Sequence, residues 1–261
     1  MNSIHSFDVS IILPSLALNE VSLARACESV DLASQNLTAQ LILVVPADIA
    51  INYLPILKNV SLKILKDNQK GIYEAFNLGL REAEGKYICF MGDDDFITKD
   101  SLVKRAQHLS STDAEAVYGN SIFVERVRKF DHPSNSNVLE RWWEDLLPIQ
   151  HAAFMYRREC FNNSPFKTNL WFMDLKICSD YEWQSRFIKG NPRIDHLPID
   201  VVYIGLSGIS NSRKFRVQFE ALFIALINKP HNVSLFLVLN TWLKRLFSRF
   251  LIHFKWVKKG D

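Results

Sequence analysis

A chain of 261 residues with 48% hydrophobic residues, nine glycines and nine prolines is ordinary globular material, long enough to bury one substantial core. Its net charge of +3 and pI near 8.6 lack the dense basic excess of phosphate-tracking surfaces, so nucleic acid is not an expected partner. Cys27, Cys89, Cys160 and Cys178 have no close pairing of the kind zinc sites use, and they read as reduced residues of a cytoplasmic protein.

The opening "MNSIHSFDVSIILPS" has no basic region and only a short apolar run, unlike a secretory signal. No segment reaches the roughly 18 uninterrupted apolar residues of a membrane span. Val9 to Leu13, ended by Pro14, reads as a strand buried on both faces, and "NEVSLARACESVDLAS" as a helix. "AQLILVVPAD" is a second buried strand stopped by proline, and "VSLKILK" an alternating third. In "GIYEAFNLGLREAEG", Ile72, Ala75, Phe76, Leu80 and Ala83 share one helical side, with Gly85 as the expected stop. "KYICFMG" is a fourth strand, and "TKDSLVKRAQHLSS" a helix with Thr98 as its expected cap.

This order predicts a mainly parallel α/β sheet flanked by helices, with a nucleotide site at the carboxyl ends of the strands. Beyond residue 115, "AEAVYGNSIFVE" and "RKFDHP" suggest a strand pair, "ICSDYEWQSRFIKG" a helix, and the chain from Lys214 onward helices broken at "NKPHN".

Asp93, Asp94 and Asp95 follow the fourth strand directly. Such a run is either a solvated turn or a place for a hard divalent cation held by one or two carboxylates and the phosphates of a substrate. The surrounding "QKGIYEAFNLGLREAEGKYICFMGDDDFI" resembles the signature of family 2 glycosyltransferases with the GT-A fold: Asp-Lys-Gly-Ile-Tyr-Asp-Ala, a helix, a strand, then paired Asp. "VSIILPS", "PIQHAAFMYRRECF", "CSDYEWQSRF" and "GLSGIS" resemble further family segments in order, so the similarity covers about residues 8 to 212, and it extends to capsule, colanic-acid and O-antigen members. Two positions depart from the pattern: Pro46 stands where the family has an Asp that holds the base, with Asp48 two residues later, and Gln69 replaces the Asp of Asp-Lys-Gly.

The resemblance implies inverting transfer of a sugar from a nucleotide-diphosphate donor to an acceptor hydroxyl. It implies Mg2+ or Mn2+ on Asp95 and Asp93, and donor contacts from Pro14, Ser15, Gln69, Gly71, Asn77, Asp93 and Asp94. Asp180 is the implied catalytic base, and His151 and Arg157 are implied contacts for acceptor or diphosphate. Residues 1–115 would form the nucleotide-sugar half, 116–212 the acceptor half, and 213–261 C-terminal amphipathic helices.

In the tail, "LNTWLKRLFSRFLIHFKWV" puts Leu239, Trp242, Leu243, Leu246, Phe250, Phe254 and Val257 on one stripe. Such a stripe either docks on the domain or lies on an anionic membrane through residues 233–261, where a lipid-linked or growing carbohydrate acceptor would be met. Peripheral attachment to the cytoplasmic face of the membrane follows from the second reading. Two other classes compete with the enzyme reading: a non-catalytic sugar-nucleotide-binding or scaffold protein of the same fold, and a nucleotidyltransferase. "LPSLALNE" lacks the Gly-rich basic loop of the latter.

Overall fold

The computed structural model describes residues 5–51, 53–123, 128–130, 142–144, 149–170, 173–205 and 214–244. In chain order the strands are β1 (Phe7–Pro14), β2 (Ala39–Pro46), β3 (Val60–Asp67), β4 (Gly85–Phe90), β5 (Phe96–Ile97), β6 (Ala116–Phe123), β7 (Arg128–Phe130), β8 (Phe154–Arg157), β9 (Asn169–Leu170), β10 (Met173–Asp174) and β11 (Ile194–Ile204). The helices are α1 (Glu20–Ala33), α2 (Ile72–Glu82), α3 (Ser101–Ser111), α4 (Ser179–Lys189) and α5 (Lys214–Asn228), with residues 235–244 also helical.

The large sheet runs β3-β2-β1-β4-β8-β6-β11-β5, with β7 paired to β6. Its first four strands are parallel, as expected: Val9 pairs with Ala39 on one side and Tyr87 on the other. The second half is mixed. β8 is antiparallel to both β4 and β6, whereas β6 and β11 are parallel. β1 is buried on both faces because its side chains alternate between two cores. Val9, Ile11 and Leu13 pack with Leu23, Cys27 and Val30 of α1 and Leu102 and Leu109 of α3. Ile12 packs with Ile42, Phe76, Ile88 and Phe90 on the α2 face. Each such fully buried aliphatic contributes on the order of 1.5–3 kcal/mol.

A third core joins Trp142, Trp143 and Tyr181 to Ala221 and Ile224 of α5 and to Val238 and Trp242 beyond it. The Trp242 indole N–H donates to the Trp143 carbonyl at 3.1 Å. This part of the expected tail stripe therefore docks on the protein, while Leu243 is 64% exposed. Leu246, Phe250, Phe254 and Val257 of the stripe lie outside the described residues, as does the "GLSGIS" loop beyond Gly205.

Two local expectations need correction. Gly85 does not stop α2, which ends at Glu82; it opens β4, where a side chain would come within 2.4 Å of the Ser10 backbone nitrogen. Thr98 does not cap α3, because its hydroxyl donates to the Asp200 carbonyl at 2.7 Å and Asp100 takes the cap position.

Candidate active site

The strand order reverses direction between β1 and β4, and ligands of open α/β sheets sit outside the carboxyl ends of the strands at such a point. The sequence puts Ser15 directly after β1 and the Asp run just after β4. The Ser15 hydroxyl donates to Asp93 Oδ2 at 2.6 Å and accepts from the Ala17 amide at 2.8 Å, joining the two strand ends. Burial raises the Asp93 carboxyl above its usual range, and the Ser15 bond opposes that rise.

Asp95 is held by backbone on both oxygens: Oδ2 accepts from Gly92 N–H at 2.9 Å and Oδ1 from Gly205 N–H at 3.0 Å. Burial outweighs these bonds and pushes its pKa to about 7. Gly205 also packs on Asp94, whose carboxylate oxygen would lie 2.4 Å from any Cβ there. The end of β11 thus fixes two of the three carboxylates.

A cavity of about 400 Å3 is lined by Asp94 and Asp95, by Tyr73 and Phe76 of α2, by His151, by the 176–178 loop with Asp180, and by Val217 of α5. Asp180 is the second residue of α4, its access partial, and its Oδ1 takes the Tyr73 hydroxyl at 2.9 Å and the Tyr181 amide at 2.8 Å. The Tyr73 hydroxyl also meets the Ile177 carbonyl. Burial raises the Asp180 pKa to about 6, above the usual carboxylate range, with the Tyr73 and Tyr181 bonds pulling the other way. A carboxyl so placed changes protonation near neutral pH, which suits proton transfer.

His151 stacks on Phe90 with ring centroids 4.6 Å apart, and burial lowers its pKa to about 3, so the ring is neutral. The Gln184 amide donates to Nδ1 at 3.4 Å, which leaves the ring proton on Nε2; that atom is buried and has no partner among the described residues. His151 thus lines the cavity while its N–H stays buried and unpaired among the described residues. Arg105, fully buried on α3, steadies the segment by donating to the Phe154 carbonyl at 3.0 Å and the Ala153 carbonyl at 3.3 Å.

The remaining expected residues divide. Gly71, at φ 112, lets the chain enter α2 in a conformation that residues with a Cβ rarely adopt. Gln69, beside it, donates its side-chain amide to Asp48 Oδ1 at 2.6 Å, so one departure from the family pattern bonds to the Asp two residues past the other, Pro46. Pro14 ends β1 and is buried. Asn77 is a correction: it is buried with both ends of its amide bonded to the backbone of Phe166, each at 2.9 Å, so it pins that segment, and it is not among the residues that line the cavity. Arg157 is another, since its Nε and Nη2 donate to the carbonyls of Leu109, Thr112 and Ala114 and it is not among the residues that line the cavity.

Whether the acidic run suits a divalent cation is a question of donor chemistry. Among the described residues no Lys, Arg or His forms an ion pair with Asp93 or Asp95, and desolvation disfavours the charge on both. No group of three or more His, Cys, Asp or Glu among the described residues could hold an ion unaided. Two hard carboxylates that need substrate oxygens to complete a shell fit Mg2+ or Mn2+ bound with a diphosphate.

Tyr73, Gln184 and the 176–178 loop went unnoticed as site features in the sequence. Only Tyr73 carried a signal, as the aromatic of "GIYEA".

Comparison with known proteins gives three kinds of match. A family profile described as "Glycosyl transferase family 2" matches residues 46–174. An uncharacterised glycosyltransferase of Haemophilus influenzae is 37% identical over 68 residues, a match that spans 26% of this chain and 27% of that relative. Among solved structures, S. aureus TarS in complex with UDP-GlcNAc aligns over 92% of this chain and 72% of its own, at 18% identity and a TM-score of 0.62. A mannosyltransferase from Pyrobaculum calidifontis, in complex with GDP-Man and Mn2+, aligns over 89% of this chain and 66% of its own, at 15% identity and a TM-score of 0.60. At such identities the likeness is one of fold. Among the described residues no helix is long and apolar enough to cross a membrane.

Proposed function

We propose, for a chain that belongs to the family 2 glycosyltransferases and has their GT-A fold, that it transfers a sugar from a nucleotide-diphosphate donor to an acceptor hydroxyl, with inversion. The observation that carries this reading is one cavity lined both by Asp94 and Asp95 and by Asp180, a carboxyl whose pKa is raised to about 6. That arrangement supplies a place for the diphosphate and a base within reach of the same space. Two neighbours in fold support the donor class: TarS holds UDP-GlcNAc and the Pyrobaculum enzyme GDP-Man.

The chain's own residues then divide the work. Ser15 and Asp93 hold the donor at the end of β1, with Asp48 and Gln69 beside it. Asp95 and Asp93 would hold Mg2+ or Mn2+, which when bound offsets the charge of the departing diphosphate. Asp180 takes the proton from the acceptor hydroxyl as it attacks. His151 lines the cavity, and with its pKa lowered to about 3 it is too weak a base to compete with Asp180 for the acceptor's proton. A carbohydrate or lipid-linked acceptor fits a protein whose 235–244 helix leaves Leu235, Phe236 and Leu243 more than half exposed, and this surface would face an anionic leaflet.

The test is release of nucleoside diphosphate from a panel of UDP- and GDP-sugars with Mn2+ or Mg2+, alongside thermal shift with the free diphosphates. Turnover abolished in Asp180→Asn, with the diphosphate-induced thermal shift kept, supports the assignment. Wild-type transfer by Asp180→Asn refutes the base, and cation-dependent diphosphate binding without turnover of any donor favours the non-catalytic alternative.

A further inference from the structure

Glu220 lies on α5, a helix that the sequence alone assigns to the tail, yet it is 1% exposed. Its carboxylate accepts the backbone N–H groups of three successive residues: Lys176 at 3.1 Å on Oε1 and 3.2 Å on Oε2, Ile177 at 3.0 Å and Cys178 at 3.0 Å on Oε2. Arg216, one turn earlier, donates from Nε to Oε1 at 2.7 Å. Three consecutive N–H groups aimed at one point form an anion-binding nest, and here a carboxylate of the chain itself fills it. The loop that makes the nest leads straight into α4, whose second residue is Asp180. Its Ile177 carbonyl meets the Tyr73 hydroxyl that also bonds Asp180.

Cohesion alone does not call for this carboxylate. Helices α4 and α5 already share an apolar core through Tyr181, Ala221, Ile224 and Ala225. Burying a carboxylate costs several kcal/mol before its partners repay it, and here the repayment comes from three backbone amides and Arg216, not from the packing of the two helices. What the carboxylate adds is directional: charge-assisted bonds, roughly twice as strong as neutral ones, fix the path of three backbone amides immediately before the base. Val217, on the same helix, lines the cavity and accepts from the Cys178 thiol at 3.6 Å.

We propose that Glu220 is a positioning residue for sugar transfer, clamping the 176–178 loop so that the Asp180 carboxylate is aimed into the cavity. The proposal rests on the reading of Asp180 as the base. The charge of Glu220 also bears on Asp180 directly, as one of the groups that raise its pKa. The other groups facing Asp180 are Tyr73 from α2, Cys178 from the loop and Tyr156 from β8, with Lys176, His151, Asp94 and Asp95 around the cavity. Glu182, its neighbour on α4, is taken up by Arg186 and Lys167.

The experiment compares the full-length wild type, Glu220→Gln and Glu220→Asp. Two readouts are used: transfer from UDP-GlcNAc and GDP-mannose with Mn2+ as a function of pH, and the 13C carboxyl titration of Asp180. Glu220→Gln keeps the shape of the side chain but removes the charge. Its kcat is expected to fall about 10- to 100-fold, the scale of a misaimed catalytic group, with the donor KM nearly unchanged. Both loss of the nearby anion and better hydration of a loosened base lower the Asp180 pKa, so its titration and the acid limb of kcat/KM move to lower pH. Glu220→Asp keeps the charge but cannot reach all three amides, and loses kcat with a smaller movement of the limb.

An unchanged carboxyl titration, or wild-type kcat in both variants, overturns the proposal. Should neither probe be turned over, the titration decides by itself, and should Glu220→Gln fail to fold, the kcat or titration of Glu220→Asp decides. Asp180→Asn in the same assay keeps the two readings apart. Full transfer by that variant removes the base assignment, whereas an inactive Asp180→Asn beside an unaltered Glu220→Gln removes only the clamp.

Discussion

Tyr73→Phe isolates one bond at the candidate base. The hydroxyl has a single proton and two acceptors, Asp180 Oδ1 at 2.9 Å and the Ile177 carbonyl. A hydrogen bond to a charged group is worth about 1.5–3 kcal/mol, and sharing the proton roughly halves what Asp180 receives, to about 1 kcal/mol. At about 1.36 kcal/mol per pKa unit, losing that stabilisation of the carboxylate raises the Asp180 pKa by somewhat under one pH unit from its value of about 6. The acid limb of kcat/KM, which reports the free enzyme, should therefore move to higher pH by that amount, opposite in sign to Glu220→Gln. The Ile177 carbonyl also loses its donor, so stability should fall by about 1–3 kcal/mol, visible in a urea melt. Initial rates from about pH 5 to 9, spanning the acid and base limbs, are the assay. A limb that stays in place or moves down would refute the account of how Tyr73 acts on Asp180.

Three further outcomes follow from the geometry. Asp95→Asn should lose the Mn2+-dependent part of any thermal shift given by UDP or GDP, because an amide is a far poorer ligand for a hard cation; a retained Mn2+ effect would move the cation elsewhere. Gly205→Ala puts a methyl group 2.4 Å from the Asp94 carboxylate, and a chemical melt should show a loss of about 1–3 kcal/mol, the usual scale of overpacking. Glu182→Ala removes the buried carboxylate met by Arg186 and Lys167; because Arg186 is partly exposed and keeps its bonds to Ser164 and Pro165, the same melt should show a loss of about 1.5–3 kcal/mol, with the acid limb of kcat/KM left in place, and a displaced limb would count against Asp180 as the group that sets it.

The parallel half of the fold was legible because its signals are local. Strands β1 and β2 are continuous apolar runs stopped by Pro14 and Pro46, and α2 carries its apolar residues on one side. The mixed half was not, since β8 is placed by pairing with β4 and β6, strands far away in sequence. The same distinction runs through the site. The Asp run and Asp180 could be picked out by type and spacing. Asn77 and Arg157 could not be judged, because whether a polar side chain faces a cleft or a carbonyl depends on where a distant segment passes: Phe166 for one, Leu109 to Ala114 for the other. Glu220 was invisible for the converse reason. A glutamate one turn after an arginine reads as a solvated ion pair on a helix surface, and only the path of residues 176–178 turns it inward.

Pro46 and Gln69 are the two departures from the family pattern, and the 2.6 Å bond from Gln69 to Asp48, two residues beyond Pro46, brings the two stretches together. A second Asp at position 69, as the family pattern has, would set two carboxylates side by side with no amide proton between them, and like charges at that range repel. Gln69→Asp alone should thus open the loop beside the donor and raise the donor KM, with kcat little changed. Pairing it with Asp48→Asn supplies an amide donor from the other side and should recover most of the loss, giving a coupling of about 0.5–3 kcal/mol in a double-mutant cycle on kcat/KM. Additive effects would show that the two positions act separately. A recovered KM accompanied by a changed preference between UDP- and GDP-sugars would assign the pair to recognition of the base, since exchanging an amide for a carboxylate swaps a group that both donates and accepts for one that only accepts.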